Sequence, residues 1–277
     1  MSDKQEVIHT KIWREVPEED NPFAARECYC SGYDVYGDLL GKISWIEYLY
    51  LLFRLELPSR EHARALETLA VAIANPGIRD HSVRAAMNGG VCGSTRASSL
   101  IAAISVGAGN LGGGREVHEI IALWQSIGCD LPAWQGYARN PPVTERIDVW
   151  FPMEHLPGFD PNGARCPLPV LQTLDSLAAL LPGGCAEWLV SHRGMIEESV
   201  GYPLAMSGVI GAALFDLGFS CAQAESLYMF LRLPGAAAHA LEQEEYGWNQ
   251  YPFFGDAIKY TPNNDSSTST DTGGEQS

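Results

Sequence analysis

The sequence predicts an all-α protein, and two patterns support this prediction. Apolar residues recur at helical spacing through most of the chain, while no stretch sustains the alternation of apolar and polar residues typical of a half-buried strand. Breakers rich in glycine and proline separate the helical stretches, at residues 75–77, 112–114, 140–142 and 181–184. The one exception that we expect is a short pair of strands at residues 6–13 and 27–33.

Start and stop signals place the individual helices. Residues 45–55 are strongly apolar, with Ser44 before them as a suitable N-cap and Leu57-Pro58 after them as a stop. Ser59 then caps an amphipathic run that reaches residue 74. Further helical windows are predicted at residues 97–108, 116–127, 168–181, 204–217 and 222–243. Two of these stretches, 45–55 and 204–217, are apolar around much of their circumference, so we expect a hydrophobic interface between chains to cover part of them.

Composition is that of a globular protein of one domain or two closely packed ones. The 277 residues are 46% hydrophobic and 19% charged. No run of about 18 apolar residues occurs, and the first residues lack the layout of a signal peptide, so we expect a cytoplasmic protein without a membrane partner. The seven cysteines are scattered and odd in number, which favours free thiols, and Cys28-Tyr29-Cys30 is not a zinc spacing.

Charge restricts the classes of partner. The formal net charge of -16 argues against nucleic acid, because phosphate binding requires clustered lysine and arginine. It also fits poorly with a polyanion such as coenzyme A, unless a few arginines gather at one cleft. Residues 262–277 are polar, small and non-periodic, and we expect a disordered tail there.

Two segments about 150 residues apart carry a resemblance to a known family. The first is Ile78-Arg79-Asp80-His81, and the second runs from Leu231-Arg232-Leu233-Pro234 through Ala-His-Ala-Leu-Glu-Gln at residues 238–243. Together they resemble the citrate synthase superfamily, which includes citrate synthase, 2-methylcitrate synthase, citryl-CoA lyase and the lyase part of ATP-citrate lyase. Residues 32–34, 38–45 and 55–59 are similar to the start of the family's helical core, in the same order.

The resemblance implies an architecture. A large helical domain would comprise residues 1–81 and 204–261, and a smaller helical domain would comprise residues 82–203, with the site in the cleft between them. It also implies a homodimer and a hinge closure around the ligand. The ligands would be a small carboxylate and an acyl-CoA, with the coenzyme A thioester as substrate and no tightly bound cofactor or metal.

Three residues match working positions of the family. His81 would be catalytic, hydrogen-bonding the thioester carbonyl oxygen as the enol forms. Arg232 would bind a substrate carboxylate through its planar fork, and His239 would lie near the acyl-CoA. Each has a structural alternative that the sequence leaves open: a histidine packed at a helix start, an internal salt bridge, and a histidine between packed helices.

Other family positions are changed. Leu204 stands where the family has its aspartate base, and leucine cannot accept a proton. Leu111 lies near the place of a second histidine, Tyr251 replaces an arginine before a proline, and the usual Gly-Phe-Gly-His segment is altered at residues 157–165. Asp160 and Glu198 are candidate replacement bases by sequence neighbourhood, and His118 and Arg115 lie close enough in sequence to form a changed site.

Other motifs give weaker indications of function. The run at residues 109–114 resembles a nucleotide loop, but no strand precedes it and no Gly-Lys-Ser follows, so a turn between helices is favoured. Glu242, Glu244 and Glu245 form an acidic cluster typical of a solvated helix end rather than a metal site. His155 and His192 occupy loop-like settings without a readable partner.

Two functions of different classes follow. The first is a transferase or lyase that makes or breaks a carbon–carbon bond between an acyl-CoA and a keto or hydroxy polycarboxylate, with ordinary citrate synthase activity doubtful because of Leu204. The second is a catalytically inactive homologue that binds a carboxylate or coenzyme A metabolite, or serves as a non-catalytic subunit. A carboxylate elsewhere in the cleft would favour the enzyme.

Overall fold

The computed structural model describes residues 8–141, 149 and 153–252, and over these residues the chain is mainly helical. The predicted all-α class is therefore confirmed. The predicted disordered tail at residues 262–277 lies outside the described residues. The helices are α1 (Trp45–Arg54), α2 (Arg60–Ile73), α3 (His81–Val91), α4 (Arg96–Gly107), α5 (Gly114–Ile127), α6 (Leu131–Arg139), α7 (Leu168–Leu180), α8 (Cys185–Val200), α9 (Met206–Asp216), α10 (Cys221–Leu231) and α11 (Leu233–Tyr246).

A small antiparallel sheet precedes the helices. Its strands are β1 (Trp13–Pro17), β2 (Ala25–Cys30) and β3 (Tyr33–Asp34), in the order β1-β2-β3. The second predicted strand overlaps β2 and β3, whereas the first was placed too early, because β1 begins only at Trp13. Cys30 of the sheet packs with Leu51 of α1 in a small core, which fixes the sheet against the first helix.

The predicted caps of the first two helices are confirmed. Ser44 Oγ accepts a hydrogen bond from the Glu47 N–H, and Glu47 accepts one in return from the Ser44 N–H at 2.7 Å. The second bond lowers the pKa of Glu47. Ser59 Oγ accepts from the His62 N–H at 3.1 Å and starts α2 in the same way.

The predicted helix at residues 222–243 is wrong as a single element. It is two helices, α10 and α11, with Arg232 between them. Pro234 explains the break, because it has no N–H to donate to the Phe230 carbonyl four residues earlier and its ring crowds that carbonyl, whereas proline is tolerated in the first turn of α11. Three helices, α3, α6 and α8, have no counterpart among the predicted windows. Each contains an internal glycine, at Gly89, Gly136 and Gly194, which weakens the pattern.

Helix α9 lies at the centre of the protein. Residues 207–214 are all buried, and α9 packs against α5, α7 and α8. A helix that is buried on every side is apolar around its whole circumference. The apolar surplus at residues 204–217 is therefore explained within one chain, and the interface predicted from it does not lie on α9.

Helices α3 and α11 approach each other closely. A Cβ atom on Gly90 of α3 would overlap the Ala240 carbonyl of α11, so glycine is required at this crossing. The loop at residues 74–80, which joins α2 to α3, is tied to the same helix, because the Gly235 N–H donates to the Ala74 carbonyl at 2.8 Å. The division into two domains at residues 82 and 203 stays a prediction.

The helix lengths and the cysteines bear on the setting of the protein. No helix within the described ranges has the length and apolar content needed to cross a membrane. All seven cysteines are free thiols.

Candidate functional site

The Asp80-His81 segment forms the first turn of α3. Asp80 is the N-cap, and its Oδ1 atom accepts hydrogen bonds from the backbone N–H groups of Ser82 at 2.9 Å and Val83 at 3.3 Å. Its Oδ2 atom contacts the guanidinium of Arg232 in a short ion pair. The carboxylate of Asp80 therefore caps α3 and also fixes the start of α11 against it.

Arg232 is buried in an internal network. Its side chain is 6% exposed, and besides Asp80 it donates from Nη1 to the Gly112 carbonyl at 3.0 Å. The guanidinium lies 4.7 Å from the centroid of the Tyr228 ring. The structure thus contains the internal salt bridge that the sequence left open, while binding of a substrate carboxylate by Arg232 stays a prediction.

Tyr228 completes this network. Its hydroxyl donates to the same Gly112 carbonyl at 3.0 Å. Burial raises the pKa of Tyr228 to about 12, against the opposing effect of Arg232. The phenol therefore stays protonated at neutral pH and remains a hydrogen-bond donor.

His239 lies on α11, seven residues after Arg232. One ring nitrogen, Nε2, is 3.1 Å from Asn75 Oδ1, and the other, Nδ1, is 3.4 Å from Glu242 Oε2. These contacts agree with the structural alternative for His239. Together with the contacts of Arg232 and Gly235, they place the three candidate residues around the loop at residues 74–80.

The first turn of α3 also presents positive charge to solvent. Arg79, His81 and Arg84 are exposed, and none of them forms an ion pair or side-chain hydrogen bond within the described part of the chain. Asp80 already caps the N–H groups of Ser82 and Val83 at this helix terminus, so any attraction for a further anion comes from the side chains of Arg79 and Arg84. His81 therefore lies at an open cationic surface beside the buried Asp80–Arg232 pair.

Glu116 occupies the interior behind the glycine turn at residues 112–114. Its side chain is 2% exposed, and Oε2 accepts the Gly112 N–H at 2.5 Å. Oε1 accepts the Gly158 N–H at 2.7 Å and lies 3.5 Å from Nε2 of His155. Glu116 thus joins the segment where a second family histidine was expected to the segment that resembles Gly-Phe-Gly-His.

Leu204 belongs to the main hydrophobic core. It is 2% exposed and pairs with Phe159 in an isolated β-bridge. The Ala205 N–H donates to the Gly158 carbonyl at 2.8 Å. The segment that carries Leu204 therefore adjoins the Gly158 segment, and the side chain at the expected position of the base is an alkyl group packed inside the protein.

Three of the four candidate replacement residues have other partners, and the fourth, Glu198, is exposed. Asp160 Oδ1 accepts the Asn162 N–H within its own turn, and Glu198 is exposed on α8. His118 Nδ1 lies 3.1 Å from Glu225, and Arg115 forms an ion pair with Glu119.

The remaining motifs are accounted for by their surroundings. Tyr251 packs against the cluster between α3 and α11. The acidic cluster at the end of α11 is exposed and partly paired, since Glu244 lies 3.0 Å from Arg96. Within the described residues, no group of three or more histidine, cysteine, aspartate or glutamate side chains is arranged to hold a metal ion.

Comparison with known proteins identifies the fold. The chain is similar to citryl-CoA lyase from Hydrogenobacter thermophilus, with a TM-score of 0.70 at 19% identity, over 93% of this chain and 96% of the lyase. It is also similar to ATP citrate lyase from Methanothrix soehngenii in complex with citrate and coenzyme A, with a TM-score of 0.71 at 17% identity, over 95% of this chain and 43% of that enzyme.

A third likeness is more distant. Citrate synthase from Thermoplasma acidophilum has a TM-score of 0.55 at 17% identity, over 79% of this chain and 59% of the synthase. No protein-family model matches the chain, and a search of curated protein sequences finds no relative. The chain therefore has the citrate synthase fold, and the predicted resemblance to this superfamily is confirmed at the level of the fold.

The sequence did not single out Glu116 and His155 as a pair. His155 was left without a partner, and the structure supplies Glu116. A signal for Glu116 was available, because it lies four residues before Ile120 and eight before Trp124, on the buried face of α5. A charged residue on such a face requires an internal partner.

Proposed function

We propose that this protein makes or breaks a carbon–carbon bond between an acyl-CoA and a keto or hydroxy polycarboxylate, by a route that does not use a base at position 204. The observation that carries the proposal is the convergence of separate segments. Asp80, Gly112, Gly158 and Arg232, from four distant parts of the sequence, are connected through hydrogen bonds of Glu116 and Arg232. These are the segments at which the resemblance placed the family's site.

The cationic turn of α3 supports a carboxylate substrate. Arg79 and Arg84 present positive charge beside His81 at the start of α3, in a protein whose net charge is -16. An anion such as citrate would be attracted to this surface against the general repulsion of the chain. Solved proteins with this fold bind citrate and coenzyme A or citryl-CoA, which favours a coenzyme A thioester as the second substrate.

Leu204 favours a second candidate function. A thioester α-proton is weakly acidic, so a general base contributes roughly 10²–10⁴-fold to its removal, and a buried alkyl group contributes nothing. The alternative is therefore a catalytically inactive homologue that binds a carboxylate or coenzyme A metabolite, or a non-catalytic subunit. Binding without proton exchange would distinguish this candidate from the enzyme.

Ordinary citrate synthase activity is expected to be absent or very low. Acetyl-CoA and oxaloacetate are incubated with the protein, and the release of free thiol by the condensation reaction is followed. Turnover at rates typical of enzymes, on the order of 1–10³ per second, would contradict the interpretation of Leu204. A trace activity that rises in Leu204→Asp and disappears in His81→Ala would support the site.

We also propose a homodimer, with an interface on α4, α10 and α11. Ile101, Ile104, Phe230 and Leu241 are exposed apolar residues of these helices. Two neighbouring grooves of about 480 and 150 Å³ share Leu100 and Ala237 of these helices, and the larger groove is also lined by residues of α1 and α2. Exposed apolar surface of this extent is typical of a protein interface.

The dimer is tested by charge introduction on α4. The double variant Ile101→Glu, Ile104→Glu is expected to weaken association by more than roughly 100-fold, since charges facing their own copies across a twofold interface repel. Sedimentation over a range of concentrations measures this change. Val190→Glu, at an exposed apolar position on α8, is the matched control and should leave the dimer intact. A wild-type monomer at micromolar concentration would contradict the proposal.

We propose a cytoplasmic location, which the free state of the cysteines supports, because free thiols persist in a reducing compartment.

A further inference from the structure

Two buried polar atoms near the Gly158 segment lack hydrogen-bond partners. One is Nε2 of His155, whose side chain is 7% exposed, and the other is the hydroxyl of Ser207 at the start of α9. Ser207 directly precedes Gly208, which packs against Gly158 so closely that a Cβ atom there would overlap the Gly158 carbonyl. Buried polar groups are nearly always satisfied, so such an exception calls for a specific explanation.

The carboxylate of Glu116 contacts this segment through Gly158 and His155. Its carboxylate is held by two backbone N–H groups, Gly112 and Gly158, which orient it and stabilise its negative charge. The His155 ring faces the same carboxylate, with Nε2 at 3.5 Å from Oε1. A shift of a few tenths of an ångström would convert this contact into a hydrogen bond, and such bonds are commonly long before substrate is bound.

We propose that His155, oriented by Glu116, is the acid–base residue of this protein, in place of the aspartate that Leu204 replaces. This inference rests on the proposed carbon–carbon bond function. In the arrangement that the geometry favours, Nε2–H donates to Glu116 and the Nδ1 lone pair accepts a proton. A carboxylate that fixes the tautomer of a histidine and stabilises its protonated form is a recurrent catalytic arrangement.

The proposed step moves one proton from the α-carbon of the acyl thioester to His155. The α-carbon–hydrogen bond of the acyl thioester breaks, and its electron pair forms the carbon–carbon π bond of an enolate while the thioester carbonyl oxygen takes the negative charge. The proton forms a new N–H bond at Nδ1 of His155. The imidazolium is balanced by Glu116, and the same proton returns to carbon in the direction of cleavage.

The position of the pair agrees with this role. Glu116 bonds to Gly112, and Gly112 bonds to Arg232, which contacts the Asp80 carboxylate beside His81. On its other side, Gly158 bonds to Ala205, next to Leu204. The pair therefore lies between the segment of the missing base and the segment that carries the cationic turn.

The experiment measures α-proton exchange of acetyl-CoA and propionyl-CoA in heavy water, with oxaloacetate present, by NMR. His155→Gln is expected to lower the wild-type exchange rate by roughly 10²–10⁴-fold, which is the usual contribution of a general base. Glu116→Gln should lower the rate without lowering the affinity for citrate, measured by calorimetry. His192→Gln is the matched control and should exchange at the wild-type rate, because His192 stacks on Trp188 away from these groups.

The outcomes separate the two proposals. Exchange by the wild type that persists unchanged in His155→Gln would overturn the role of His155 and leave the proposed function intact. Wild-type protein that binds citrate but exchanges no proton of either thioester would overturn both, and would establish the binding homologue. His155→Gly should show the same lowered exchange rate as His155→Gln. Partial restoration of the rate in His155→Gly by added imidazole would support proton transfer by His155 rather than a loss of folding.

Discussion

Arg232→Ala is expected to lower the free energy of unfolding by about 3–5 kcal/mol, which is typical of breaking a buried ion pair. The substitution leaves the Asp80 carboxylate without its cation, and it removes a donor from the Gly112 carbonyl. It also removes the ring contact with Tyr228. Urea denaturation followed by circular dichroism measures the change.

The same variant tests the predicted ligand role. Binding of citrate-like or oxaloacetate-like compounds should be lost, at a cost of about 2–5 kcal/mol. Arg26→Ala is the control for stability, since Arg26 pairs with Glu27 at 3.3 Å on the exposed side of β2, and such exposed pairs contribute about 0–1 kcal/mol. The double variant Asp80→Asn, Arg232→Met removes both charges, and it should recover part of the stability without recovering binding. Equal binding by wild type and Arg232→Ala would exclude the ligand role.

Leu204→Asp is expected to destabilise the protein strongly, and more so at high pH. The introduced carboxyl replaces a side chain that is 2% exposed in the main core, at a residue whose backbone N–H donates to the Glu197 carboxylate at 2.9 Å. Burial raises the pKa of such a carboxyl above its unfolded value of about 4. A raised folded pKa means that the folded state binds the proton more tightly, so stability is greatest at low pH and falls as pH rises.

Leu204→Asn provides the matched control for this variant. Asparagine has nearly the same shape and also loses the packing of leucine, but it carries no ionisable group. The difference in unfolding free energy between the two variants should therefore be small near pH 4 and should grow by up to about 1.4 kcal/mol per pH unit above it, until the folded pKa is reached. Identical pH dependence in both variants would mean that the introduced carboxyl is reached by water and that position 204 faces an open cleft.

The sequence predicted the helical class because the apolar spacing of helices such as α1 and α2 is strong, and their serine caps are local signals. It failed where tertiary contacts decide the outcome. The break at Arg232 depends on Pro234 together with the ion pair to Asp80, which spans 152 residues. Likewise, the apolar surface of α9 predicted an interface, whereas burial within the chain accounts for it.

The candidate site was predicted in part. Motif similarity brought His81, Arg232 and His239 to attention, and the structure places all three around one loop. The sequence could not establish that Arg232 is paired internally, because a buried arginine requires a partner whichever one it has. It also could not pair Glu116 with His155, since no local sequence pattern connects residues that lie 39 positions apart.

The loop at residues 74–80 is held at both ends, through Ala74 and Asn75 by α11 and through Asp80 by Arg232, the residue that precedes α11. Contacts at both ends leave the loop little freedom to move independently of α11. These contacts join α3 to α11 through the loop, so we expect the two helices to move together as one rigid unit. A hinge motion of the predicted kind is then expected at connections that lack such contacts.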